Sequence, residues 1–143
     1  MSTLNRLYDE VIRRHNRQPY HFEKKTGTKF TVQAYNPICG DRFEIFMDIE
    51  GKIISGLYFY GYGCAVSKAS ASVLVRILEG KTLVEAKQIS EQFLRLLKGE
   101  LNIGEILSSD EFKSFAVVQE IPARYECAAL AWAEMDKILI GHL

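Results

Sequence analysis

The chain has 143 residues, 48% of them hydrophobic and 25% charged, which suits one folded domain over residues 1–143 with a sizeable core and argues against disorder. Lys+Arg and Asp+Glu number 18 each, so the formal net charge is zero. The basic excess of a nucleic-acid surface is missing, and no apolar stretch approaches the roughly 20 residues of a membrane span.

Met1 to Arg6 lack the apolar core of a secretion signal, so a cytoplasmic location is expected. Leu4, Leu7, Tyr8, Val11 and Ile12 then recur at helical spacing, with Ser2 or Thr3 as a cap. Arg13 to Arg17 read as a basic, polar exit, a solvated face or a docking surface for a partner. Residues 30–35 alternate as a strand, which Asn36-Pro37 breaks because proline lacks an amide donor and restricts its predecessor. Phe43, Ile45, Met47 and Ile49 alternate as a second strand, Glu50-Gly51 turns it, and residues 52–60 make a third. These three predict an antiparallel meander.

The period then changes. Ala65 to Glu79 reads as a helix packed closely through alanine and serine, ending at Gly80. Thr82-x-x-Glu85 is a capping box before a helix from Leu83 to Lys98, stopped by Gly99. Residues 100–108 connect to a short helix over Asp110 to Val118, and Pro122 opens a last helix reaching about Ile140. Strands first and helices after predict an α+β domain, a three-stranded antiparallel sheet with helices packed on one face.

Three cysteines stand at breakpoints of this pattern. An odd count excludes complete internal pairing, so free thiols, metal ligands or reactive groups are the readings for a reducing compartment. Cys39 and Asp41 flank Gly40, which lets the backbone fold so that thiol and carboxylate converge. Taken alone, Cys-Gly-Asp is also compatible with a surface turn carrying an incidental cysteine. Cys64 follows Gly61 and Gly63 at a helix N-terminus, where free amides and the helix dipole favour a thiolate; the alternative is a small apolar cap residue. Cys127 lies in the first turn of the last helix, with Arg124 three residues before it on the same face. A guanidinium there favours a nearby thiolate, unless Arg124 pairs in solvent with Glu120 or Glu126. No CxxC pair is present, which disfavours a zinc ribbon or finger. His15, His21 and His142 lie in polar or terminal segments and read as exposed or capping residues, not ligands. Ser67, Ser70 and Ser72 read as close helix packing rather than nucleophiles. Tyr58, Tyr60 and Tyr62 read as strand packing, with Tyr62 a shield for the Cys64 loop.

In order, the segments Asn36-Pro37-Ile38-Cys39-Gly40-Asp41, Gly61 to Leu74 and Arg124 to Trp132 resemble the SufU-type branch of the IscU/NifU iron–sulfur cluster assembly family. The resemblance runs over about residues 4 to 140 and implies a SufE/NifU-like fold. It further implies a zinc ion held by Cys39, Asp41, Cys64 and Cys127, or an iron–sulfur cluster on the same residues. The partners it implies are a SufS-like cysteine desulfurase and downstream iron–sulfur assembly components of the SUF system, with no nucleic acid and no membrane. Three departures from the classical scaffold branch favour sulfur transfer. Glu126 stands where that branch has histidine before the third cysteine. Thr82 to Gly99 looks like an extra segment, and Glu120 to Arg124 replaces the two-proline chaperone motif.

The resemblance therefore implies a zinc-dependent, sulfurtransferase-like relay in which Cys39 accepts persulfide sulfur and Arg124 stabilises its freed thiolate. Docking would release Cys39 by ligand exchange with a desulfurase side chain. A scaffold for a transient cluster and a non-catalytic zinc-stabilised binding module remain as alternatives. A hydrolytic zinc enzyme is disfavoured, because four protein ligands leave no open position for water.

Overall fold

Alternating apolar residues at 30–34, 43–47 and 57–59 are what a one-sided sheet needs, and a three-stranded antiparallel sheet forms in the computed structural model, which describes residues 3–106 and 108–141. Ser2 and His142 lie outside the described residues. The strands are β1 (Phe30–Asn36), β2 (Asp41–Glu50) and β3 (Ile53–Tyr62), in the order β1-β2-β3. Their register sets Val32 opposite Ile45, Ala34 opposite Phe43, and Met47 opposite Leu57, so one face is apolar. Gln33, Glu44 and Tyr60 share the other face. Phe46 is the exception there, buried beside its partners Thr31 and Tyr58.

Helices α2 (Ala65–Leu78) and α5 (Tyr125–Gly141) pack on the sheet, α2 against β3 and α5 against β1. Helix α1 (Thr3–Arg17) lies on α2, and α3 (Leu83–Leu97) lies on α5. The short helix α4 (Asp110–Ser114) runs into a 3-10 turn, Phe115–Glu120. Phe93 stacks on Trp132 at 4.2 Å between ring centres, with Phe112 and Phe115 closing the cluster. The capping box of α3 forms as expected: the Glu85 amide donates to Thr82 Oγ1 at 3.1 Å, and the Thr82 amide donates to Glu85 Oε1 at 3.0 Å. Ser70 holds α2 to α5 by donating to the Ala128 carbonyl at 2.6 Å, the close helix packing its spacing predicts.

One expectation needs correction. His15 is neither exposed nor a cap: it is buried inside the last turn of α1, with Nδ1 2.7 Å from Ser72 Oγ and Nε2 on the Glu111 carboxylate. The polar run Arg13 to Arg17 hides it, because α1 continues to Arg17 and turns this residue toward α2 and α4. Tyr58, Tyr60 and Tyr62 lie on the outward sheet face, where Lys25 sits over the Tyr58 ring at 4.7 Å and Lys24 over the Tyr60 ring at 5.5 Å. Residues 21–23, given no structure by the sequence reading, run along the outer edge of β3: the Glu23 amide donates to the Phe59 carbonyl at 2.9 Å, and the Phe59 amide to the His21 carbonyl at 3.1 Å.

Candidate metal centre

The turn between β1 and β2 delivers the first two donors. The Asn36 side chain accepts from the Ile38 amide at 3.1 Å, and the Gly40 amide donates to the Asn36 carbonyl at 2.8 Å. Gly40 has φ 77°, a left-handed conformation that a side chain would strain. This turn leaves Cys39 exposed at the tip. The sequence places Asp41 in the turn with Cys39; in the structure it is the first residue of β2, opposite Asn36 and buried.

The second element is the Gly61-to-Cys64 passage from β3 into α2. Cys64 is the N-cap of α2, and its Sγ accepts from the Ser67 amide at 3.4 Å. The Cys64 amide donates to Asp41 Oδ1 at 2.8 Å. Gly63 makes this approach feasible: a Cβ there would lie 2.7 Å from both Asp41 Oδ1 and Ser67 Oγ, and 2.8 Å from Phe43. The third element is α5, which carries the buried Cys127 in its first turn.

Cys39, Asp41 and Cys127 offer one donor atom each, and these atoms lie within 4.8 Å of one another, close enough to share one ion. Cys64 is not in that mutual group; it adjoins it through its amide on Asp41. Asp41 Oδ2 is buried without a partner, an orphaned acceptor that a cation satisfies. Two thiols, a carboxylate and an adjoining third thiol suit zinc in their chemistry. Neither His15 nor His21 joins the group.

Burial, with the neighbouring Cys64, Asp41 and Cys39, pushes the Cys127 thiol up to about 12. Its largest influences all raise it. Arg124 is exposed in the 3-10 turn Pro122–Arg124 and forms no ion pair with Glu120 or Glu126 among the described residues. It shares a groove of about 380 Å³ with Tyr8, Asp9 and Ala65, beside Cys64. From sequence, Ser67 reads as helix packing and Tyr8 as an apolar-face residue of the first helix, and neither is placed at the centre. The interval Cys64-x-x-Ser67 is the capping spacing that points to Ser67. Nothing in the local pattern separates Tyr8 from an ordinary core residue of α1.

A model of the NifU-like N-terminal domain matches residues 7–137. The chain belongs to that family. The zinc-dependent sulfurtransferase SufU of Bacillus subtilis is 30% identical to this NifU-like domain over 136 residues, covering 95% of this chain and 91% of its own. The iron–sulfur cluster assembly scaffold protein IscU of Streptococcus pyogenes is 32% identical over 139 residues, covering 97% and 86%. A solved structure described as a putative iron–sulfur cluster assembly scaffold protein for the SUF system, from Fervidobacterium islandicum, superposes with a TM-score of 0.85 at 25% identity, covering 94% of this chain and 98% of its own.

Proposed function

We propose that this protein is a zinc-dependent sulfur-transfer protein that accepts persulfide sulfur from a cysteine desulfurase for iron–sulfur cluster biogenesis, working in the cytoplasm. Cys39, Asp41, Cys64 and Cys127 would hold the zinc. The observation that carries this reading is the contrast within one cluster: Cys39 is exposed on a hairpin tip, while Asp41 and Cys127, within 4.8 Å of it, are buried. One member can meet a partner while the others stay inside the fold.

When bound, zinc keeps its thiol ligands deprotonated at neutral pH and guards them from oxidation. The remaining chemistry belongs to the chain. The Cys39 thiolate attacks the outer sulfur of the desulfurase persulfide. A sulfur–sulfur bond forms on Cys39, the bond to the desulfurase cysteine breaks, and that cysteine leaves as a thiolate. Asp41 and Cys64 stay fixed to each other by the amide–carboxylate bond while Cys39 moves. Arg124, on the groove beside Cys64, supplies positive charge near the freed thiolate.

Metal analysis of protein purified without added metal should give near-equimolar zinc, and the same sample should stimulate a cysteine desulfurase. Protein without zinc and without stimulation would overturn the reading. The similarity to IscU scaffolds supports a second reading, a transient cluster on the same residues. Colour and acid-labile sulfide after anaerobic reconstitution would select it.

A further inference from the structure

Two buried polar atoms beside the cysteine cluster lack a partner, and their demands are opposite. Asp41 Oδ2 is an acceptor in want of a cation. Tyr8 Oη, which can donate a proton, wants an acceptor. Tyr8 is 6% exposed, and its ring packs edge-on against Phe115 at 5.7 Å, so the side chain is held in place. It shares the groove at the start of α2 with Ala65, the residue after Cys64, and with Arg124, three residues before Cys127. A buried donor without an acceptor is costly, and native folds keep few of them.

Thiols become strong hydrogen-bond acceptors only as anions, and metal binding is what removes their protons. We propose that Tyr8 is a positioning residue of the metal centre, whose phenol O–H donates to an anionic sulfur of the Cys64–Cys127 pair once the metal is bound. The binding of zinc would then satisfy both orphans, the carboxylate directly and the phenol through the sulfur that zinc makes anionic. Tyr8 touches no reacting atom in this role. It stabilises the charged ligand set from the α1 side.

This inference rests on the zinc reading, and Tyr8→Phe separates the two. The substitution keeps the ring against Phe115 and removes only the hydroxyl. Zinc affinity by chelator competition should fall about tenfold or more, the usual scale for losing a supporting hydrogen bond behind a metal ligand. Thermal stability of the chelator-stripped variant should equal or exceed that of wild type, because an unpaired buried donor is gone. A purely structural tyrosine gives the reverse pattern, lower stripped-protein stability with unchanged zinc affinity, and that result overturns the proposal. Unchanged affinity and unchanged stability also overturn it. Wild-type protein that takes up no zinc would remove the metal reading and this inference together, whereas zinc-binding wild type with an equally tight variant removes this inference alone.

Discussion

The backbone amide of Cys64 donates to Asp41 Oδ1 at 2.8 Å, so one carboxylate oxygen is spent on fixing the start of α2 and the other is left for a cation. Asp41 therefore ties two sequence-distant donors together. Asp41→Asn should retain the amide bond yet lose the charge, and zinc affinity should fall roughly 10- to 100-fold with little change in the stripped protein's melting temperature. Asp41→Ala should lose both. Full zinc affinity and an unchanged coordination shell in the alanine variant, read by X-ray absorption, would make Asp41 only a structural residue, with Glu126 beside Cys127 the next ligand to test.

Gly63 has no room for a side chain. Gly63→Ala pushes a methyl group to 2.7 Å from Asp41 Oδ1 and Ser67 Oγ, and one of them must yield. We expect a loss of about 1–3 kcal/mol in denaturant unfolding, in the range of overpacked sites, together with substoichiometric zinc. A variant as stable and as zinc-replete as wild type would show that the Cys64 passage shifts freely.

Cys39 is the exposed thiol of the cluster. Cys39→Ser should abolish sulfur acceptance from a desulfurase and cysteine while leaving the fold intact. Mass spectrometry of the wild type should find the added sulfur on Cys39. Sulfur confined to Cys127 would refute that assignment and favour scaffold behaviour.

Away from the centre, Glu111 binds His15, Arg14 and Arg76, and its carboxyl is held at about 2, chiefly by the His15 hydrogen bond with the two arginines assisting. A depressed carboxylate stabilises the fold above its unfolded pKa of about 4.3 and loses that contribution as pH falls toward 2. The contribution is on the order of 2–3 kcal/mol. Glu111→Gln should lower stability at pH 6 and flatten its decline between pH 4.5 and pH 2. Parallel acid limbs for variant and wild type would show that the carboxylate carries no such linkage.

Much of this was legible in sequence because it depends on local rules. The strands alternate, Thr82 and Glu85 cap at the right spacing, and the glycines mark the turns. The family motifs pointed to Cys39, Asp41, Cys64 and Cys127, and the structure gathers three of these donors with Cys64 alongside. What escaped the sequence depends on contacts across the fold. His15 is buried only because Ser72 and Glu111 meet it from α2 and α4. Residues 21–23 follow β3 through two backbone hydrogen bonds that no side-chain pattern encodes. The place of Tyr8 beside the thiols follows from how α1 packs on α2, not from its own helical spacing.

The run of residues 21–23 along β3 has a consequence for self-association. A sheet edge with open amides and carbonyls is a template for strand addition. On the β3 side that template is occupied by the chain's own backbone. Among the described residues β1 pairs with β2 alone, so growth of the sheet into a larger aggregate is confined to the β1 side. There Lys29 precedes the strand and Pro37 follows it, a charge and a proline of the kind that discourage an incoming strand. The charge and the proline that flank the β1 edge lie outside the candidate ligand set.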